Sequence, residues 1–202
     1  MPLGLLDYVN PVFYSITIIT VIRNTYSSMG SPFNVLLLIG AIISVFFGFI
    51  IPTGKVIVGL GIIKFRMPVS LVFCVNAGIL ISGLMLLKYV MDMSTATIII
   101  LISAIIALLV LIYTKSRKIN SIAVLTGAAG YLLIYTSLIT LSVRAGIRIP
   151  VIMYAAAIIL FVMLCGIGIK ADLKDPKVHW VIEISNVVCQ GLVAAATVLL
   201  FS

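Results

Sequence analysis

The final stretch of the chain, from Asp175 to Ser202, reads D-P-K-V-H-W-V-I-E-I-S-N-V-V-C-Q-G-L-V-A-A-A-T-V-L-L-F-S. Asp175 followed by Pro176 indicates a helix start, because an aspartate side chain caps the first turn and proline fixes the first helical φ. About 24 mostly apolar residues follow, which is long enough for a helix to cross a bilayer core of roughly 30 Å. The stretch therefore predicts a transmembrane helix.

Four polar residues interrupt this apolar run, namely His179, Glu183, Asn186 and Gln190. At about 100° per residue they fall within an arc of about 60° on one face of the helix. A carboxylate inside an apolar helix is costly unless it faces protein or water, so we interpret this polar stripe as the candidate functional face. The alternative is structural: Glu183 would pair with Lys177 or a neighbouring arginine, and the amides would join helices.

The composition of the whole chain is that of a membrane protein. Of its 202 residues, 63% are hydrophobic and 9% are charged, and the mean hydropathy is +1.37. These values lie far outside the range of soluble domains. We therefore expect an all-α polytopic membrane protein in which residues 1–202 form a single transmembrane domain in contact with the lipid bilayer.

The charged and metal-binding residue types argue against several functions. The 13 Lys and Arg residues are spread over short loops, so the net charge of +8 indicates membrane topology and not nucleic-acid binding. The three cysteines lie inside apolar runs without a C-x-x-C pair, and the chain has one histidine. Too few ligands remain for a zinc, haem or iron–sulfur site, so we expect neither a metal nor a cofactor.

The apolar runs predict seven spans. They cover residues 3–22, 33–51, 68–87, 95–113, 121–143, 150–169 and 176–202. Polar residues dilute the first span, which should therefore lie against other helices, and a G-A-A-G motif at 127–130 should let the fifth approach a neighbour closely. A shorter apolar piece, residues 56–63, cannot cross, and we expect it to lie at the membrane interface or to extend the third span.

Lys and Arg residues are distributed unequally between alternate loops. Nine lie in the loops after the second, fourth and sixth spans, and four lie in the others. Cytoplasmic loops carry the excess of positive charge, so we expect a cytoplasmic N-terminus, an external C-terminus and residence in the cell membrane.

The first three and the last three spans resemble one another. Y-S-I-T-I-I-T-V-I-R at 14–23 is similar to Y-T-S-L-I-T-L-S-V-R at 135–144, and each half has a Pro and a Gly sixteen residues apart. Asn76 and Asn186 then occupy the third helix of each half. This pattern predicts halves at 3–90 and 121–202 joined by a linker helix at 95–113, with the halves parallel because one linking helix preserves their orientation. The alternative is chance similarity in a chain of few residue types.

With this arrangement the chain resembles the SWEET and PQ-loop transporter superfamily. R-N-T-Y-S-S-M-G-S-P-F-N-V at 23–35 is similar to that family's basic and polar link into a Pro-Phe helix start. K-A-D-L at 170–173 and I-S-N-V-V-C-Q-G-L-V at 184–193 are similar to its final loop and last helix. The resemblance implies that Asn76 and Asn186 face each other across a substrate site. It also implies an external N-terminus, opposite to the charge distribution.

Polar groups at mid-depth in several spans favour a transporter. The candidate substrate-binding residues are Asn76, Glu183, Asn186, Gln190, His179, Tyr14 and Tyr135. Amide side chains suit a small polar solute, uncharged or zwitterionic, in a cavity lined by the third and last helices, and Glu183 leaves proton coupling open.

Two other classes of function remain open at this point. A non-catalytic transmembrane subunit or sensor module, in a larger membrane complex or a homo-oligomer, would use the same amides and glycines for helix packing. A membrane enzyme is disfavoured, because the chain has no G-x-S-x-G motif, no H-E-x-x-H motif and no evident pair of membrane carboxylates.

Overall fold

A computed structural model describes residues 5–62, 68–95, 97–99, 101–106, 119–170 and 176–202. Within these ranges the chain forms seven helices and no strand, so the prediction of an all-helical protein is confirmed. The helices are α1 (Val9–Thr25), α2 (Phe33–Gly59), α3 (Val69–Met91), α4 (Thr97–Ile106), α5 (Ile119–Arg144), α6 (Arg148–Lys170) and α7 (Pro176–Phe201).

Five of these helices, α2, α3, α5, α6 and α7, are long and apolar enough to cross a membrane. Their outward side chains are large and aliphatic, as in α6, where Ile152 is 68% exposed and Ile159 is 62% exposed. Such residues suit a hydrocarbon surface, and helices satisfy their backbone hydrogen bonds internally, as lipid requires. The chain is therefore an integral membrane protein. Helix α1 has 17 residues and α4 is shorter still, so neither reaches the length of the other five.

The described residues pack into two compact units. Unit 1 is drawn from Met1–Asn24, Gly48–Arg66 and Leu138–Ser202, and unit 2 is drawn from Thr25–Phe47 and Met67–Ser137. Helices α2 and α5 each contribute one end to each unit.

Helix α2 is longer than the sequence predicts. It continues through Pro52 to Gly59, so residues 56–59 extend the preceding helix and not the third span. The location of this piece at the membrane interface stays a prediction. Its end is a Schellman motif: Gly61 has φ +72°, Gly61 N donates to Val58 O, and Ile62 N donates to Ile57 O. The helix therefore stops at the glycine that tolerates a left-handed conformation, and not at the proline.

Unit 2 is held by helices that touch through their backbones. A Cβ atom added at Gly78 of α3 would lie 2.6 Å from the carbonyl oxygen of Gly40 in α2. A Cβ atom added at Gly130 of α5 would lie 2.6 Å from the backbone nitrogen of Leu80 in α3. These residues allow close packing where no hydrophobic effect draws helices together, and Gly130 belongs to the motif for which close approach was predicted.

Unit 1 is built around α6 and α7. The hydroxyl groups of Tyr154 and Thr197 lie 2.9 Å apart, and the Cys189 thiol donates to Ala157 O at 3.3 Å, all in fully buried surroundings. Helix α1 packs on another part of α7, where a Cβ atom at Gly191 would lie 3.3 Å from the nearest Phe13 ring carbon. Helix α7 is thus fixed by both α6 and α1.

Candidate functional site

A polar cluster lies in unit 1, where the start of α1, the last turns of α2 and the start of α7 come together. Its members are Asp7, Tyr8, Asn10, Thr53, Lys55 and Glu183. Glu183 is three residues inside the apolar segment Trp180–Phe201 of α7, and Lys55 is in the apolar helix α2. The polar cluster therefore sits near one end of these helices.

An ion pair joins the segment before α1 to α2. The Lys55 ammonium group contacts Asp7 Oδ2, with the Asp7 side chain 7% exposed and the Lys55 side chain 46% exposed. Burial of a carboxylate is expensive without a positive partner, so this contact holds the Asp7 turn against α2. Because the Lys55 side chain is partly exposed, the polar cluster reaches the surface of the protein at this residue.

Asn10 connects the same region to α7. Its Nδ2 donates to Glu183 Oε2 at 3.4 Å. Asp7 and Asn10 are three residues apart, one turn along the chain. The Glu183 carboxylate also lies within electrostatic reach of Asp7 and of Lys55. A second carboxylate thus lies near the Asp7–Lys55 pair, which the sequence analysis did not anticipate when it found no evident pair of membrane carboxylates.

A further hydrogen bond closes the side of the polar cluster next to α2. The Tyr8 hydroxyl donates to Thr53 Oγ1 at 2.8 Å, and the Thr53 hydroxyl donates to Phe49 O at 2.7 Å. Since Tyr8 follows Asp7 directly, this bond and the ion pair fix the same turn. The turn before α1 is therefore positioned by α2 at two adjacent residues.

Two oxygen atoms in the polar cluster lack donors. Asp7 Oδ1 and Asn10 Oδ1 are both buried, and neither accepts a hydrogen bond from the described part of the chain. An acceptor that is buried without a donor costs about 1–3 kcal/mol, and such groups are rare in folded proteins. A protonated Glu183 carboxyl group can donate to Asp7, whereas Asn10 Oδ1 has no donor among the described residues in either protonation state of Glu183.

The polar stripe of α7 has mixed surroundings. Glu183 joins the polar cluster, Asn186 is half-buried one turn further on, and Gln190 is 3% exposed. The His179 side chain lies outside the described part of the structure. Tyr14, which was predicted to contribute from the first span, is buried in α1 within unit 1.

Asn76 lies in unit 2, between α3 and α5. Its Nδ2 donates to Ala123 O at 2.7 Å, and its carboxamide occupies the space that a side chain at position 127, a glycine, would fill. Asn76 therefore ties α3 to α5 in unit 2, where Tyr135 is also buried. The predicted pairing of Asn76 with Asn186 stays a prediction.

Of the six members of the polar cluster, sequence reasoning identified only Glu183. Asp7 and Asn10 were treated as residues that dilute the first span, and Lys55 as a topology signal. Only the spacing of Asp7 and Asn10, three residues apart at the start of the first predicted span, pointed to a shared face. Their partners are 48 and 173 positions away in the sequence, so no local pattern could identify them.

Comparisons with known proteins do not assign the chain to a family. It matches no protein-family model, no curated protein and no solved structure. The resemblance to SWEET and PQ-loop transporters is not tested by these comparisons. Among the described residues, no three His, Cys, Asp or Glu side chains are grouped as metal ligands would be. The polar cluster must therefore be interpreted from its own chemistry.

Proposed function

We propose that this protein is a small membrane transporter that moves a small polar solute, and that the polar cluster is its solute-binding site. The observation that supports this most strongly is the buried Asp7 carboxylate, which pairs with Lys55 through one oxygen, has no donor to its other oxygen among the described residues, and lies near a second carboxylate. Ionisable groups at membrane depth are costly, and in membrane proteins they mark solute or ion pathways.

A purely structural role fits the polar cluster less well than it fits other contacts in the same chain. Tyr154 and Thr197 form a buried hydroxyl pair, and Asn76 donates to a carbonyl oxygen across a close helix contact. In both contacts a polar group on one helix is hydrogen-bonded to a polar group on another, as is usual where membrane helices pack. Asp7 and Asn10 instead each have a buried oxygen without a donor among the described residues. A polar network whose hydrogen bonds are only partly formed contributes little to the stability of the fold.

The polar stripe supplies a route away from the polar cluster. Asn186 and Gln190 follow Glu183 by one and two turns on the same face of α7, toward the middle of the span. Neutral amides bind a polar solute without holding it as tightly as a charge would, which suits a path along which the solute must be released.

Helix connectivity supports seven crossings. Asn10 is near the start of α1 and Glu183 is near the start of α7, and their hydrogen bond brings both helix starts to the same end of unit 1. The intervening chain must then cross an even number of times. Helices α2, α3, α5 and α6 supply four crossings, so α1 and α4 either both cross or both do not. We propose that both cross, because α1 spans about 26 Å and buries Ile18 and Val21.

Seven crossings also suit the three-plus-one-plus-three arrangement that the resemblance to SWEET and PQ-loop transporters implies. With the cytoplasmic N-terminus that the charge distribution favours, the polar cluster would face the cytoplasm, and Lys55 would contribute to the positive charge on that side. The parallel repeat, the cell membrane and this orientation are parts of the proposal.

Solute flux into proteoliposomes tests the proposed function. We expect liposomes that contain the protein to swell faster than empty ones in at least one of glycerol, urea, alanine and methylammonium chloride. Glu183→Gln should reduce that rate at least tenfold, because the amide still accepts from Asn10 but no longer carries charge. Asn24→Ala is a matched control, since Asn24 is exposed in α1 and its side chain donates to Thr20 O in its own helix.

The competing interpretation, a non-catalytic transmembrane subunit or sensor module, makes the opposite prediction. It expects no solute to swell the proteoliposomes faster than empty liposomes, and it expects the protein to purify in a fixed ratio with another membrane protein. That pair of results would contradict the transporter proposal.

A further inference from the structure

The two buried acceptors of the polar cluster belong to Asp7, in the turn before α1, and to Asn10, in the first turn of α1, and both residues lie near Glu183. Asn10 uses its amide nitrogen on Glu183, which leaves its carbonyl oxygen without a donor, and Asp7 uses Oδ2 on Lys55, which leaves Oδ1. The Asp7 side chain is more than nine-tenths buried. Each free oxygen therefore belongs to a side chain whose other polar atom is already engaged and held in position.

The charges of the polar cluster are also unbalanced. Asp7 and Glu183 bring two carboxylates, and Lys55 brings one ammonium group. When both carboxylates are ionised, one negative charge remains uncompensated near the end of an apolar span. A charge in such surroundings requires a partner, and one positive charge is supplied either by a proton shared between Asp7 and Glu183 or by a bound cation.

An alkylammonium group combines a positive charge with hydrogen-bond donors. It carries one positive charge and three N–H donors and accepts no hydrogen bond, which matches two unpaired oxygens beside a carboxylate. A neutral amide or alcohol supplies donors without the charge. Calcium and magnesium ions need six or more oxygen ligands, more than these side chains offer.

We propose that the polar cluster binds the ammonium group of a small primary amine, with Asp7 Oδ1, Asn10 Oδ1 and the Glu183 carboxylate as acceptors. The inference rests on the proposed function and names the class of solute: small molecules that carry an amino group. Lys55 then acts as a positioning residue, because it holds Asp7 in place through Oδ2 and keeps Oδ1 available.

The chain contains its own reporter of this site. Trp180 is the single tryptophan, and it precedes Glu183 by one turn of α7. It is 40% exposed, so its fluorescence responds to changes at the start of the helix. Titration of the purified full chain in nanodiscs with methylammonium chloride should give a saturable change in Trp180 fluorescence. Acetamide of similar size and potassium chloride at the same ionic strength should give none.

Three variants test the acceptors. Asp7→Asn should weaken methylammonium binding at least tenfold, because it removes the charge that the ligand neutralises. Asn10→Ala leaves the Asp7–Lys55 pair intact and should weaken binding by a smaller factor, which keeps the test informative if Asp7→Asn does not fold. Asn24→Ala, on an exposed part of α1, should bind as the unchanged protein does.

The outcomes separate the inference from the proposed function. If methylammonium gives no saturable signal, or if acetamide or potassium gives the same signal, the amine site is wrong. Transport still stands in that case if a neutral solute swells the proteoliposomes. If methylammonium binds and Asp7→Asn abolishes the binding, the amine site stands even when no solute crosses the membrane, and only the transporter proposal fails.

Discussion

Asn10 and Glu183 stand 173 positions apart in the sequence, and the Asn10 amide donates to the Glu183 carboxylate at 3.4 Å. This contact joins the first and last helices at the ends where both begin. It brings a carboxylate inside an apolar span next to Asp7 and Lys55, neither of which belongs to the polar stripe. The site at the start of α7 is therefore formed by three segments that are far apart in the sequence.

The Asp7–Lys55 pair should contribute to stability through the buried carboxylate. Lys55→Met leaves Asp7 without its partner and should destabilise the protein by roughly 1–3 kcal/mol, less than for a fully buried pair because Lys55 is half exposed. Adding Asp7→Asn should recover part of this loss. Thermal unfolding of both single variants and the double variant measures the coupling, and purely additive effects would show that the two groups do not interact.

Asn76 and Asn186 should respond in opposite ways to truncation. Asn76→Ala removes the hydrogen bond to Ala123 O and the contact with Gly127, so it should lower stability by about 1–2 kcal/mol and leave solute flux unchanged. Asn186→Ala should reduce flux with a small effect on the melting temperature. Both quantities can be measured on the same preparations. Loss of flux in Asn76→Ala at full stability would instead favour a substrate site that includes both amides.

Close packing in unit 2 should make Gly78 intolerant of a side chain. Gly78→Ala puts a Cβ atom against the backbone of Gly40 and Ser44 and should destabilise the protein by roughly 1–3 kcal/mol. Gly59→Ala is the matched control, because a Cβ atom there meets nothing within 4 Å. Thermal unfolding compares the two variants. Equal melting temperatures would mean that α2 and α3 are not in backbone contact.

The crossing of α4 can be tested by cysteine labelling. In a background without the three native cysteines, Ser94→Cys should react with an impermeant reagent added outside, and Ser116→Cys should react only when the reagent reaches the cytoplasm. These positions flank the fourth predicted span. Reaction from the same side would mean that α4 does not cross the membrane. Because the contact between the starts of α1 and α7 requires an even number of crossings between them, α1 would then not cross either.

The membrane class and the helical segments could be derived from the sequence alone. Runs of apolar residues long enough for a bilayer predict helices, since no other single segment satisfies its backbone in lipid. The helix stop at Gly61 was present in the sequence, but the second span was predicted to end at residue 51, just before Pro52. A glycine at the C′ position ends the hydrogen-bond pattern, whereas a proline removes one bond that a membrane helix can spare.

The partners of each polar residue were decided by the tertiary structure. Periodicity showed that Glu183 and Asn186 share a face of α7, but it carries no information about which helix covers that face. Apolar surfaces pack against many others with similar energy, so long-range geometry selects among them. In the fold, Asn76 donates a hydrogen bond to Ala123 O. Glu183 accepts a hydrogen bond from Asn10 and lies near Asp7 and Lys55. The sequence by itself determined that a carboxylate must turn inward, and only the fold determined which groups meet it.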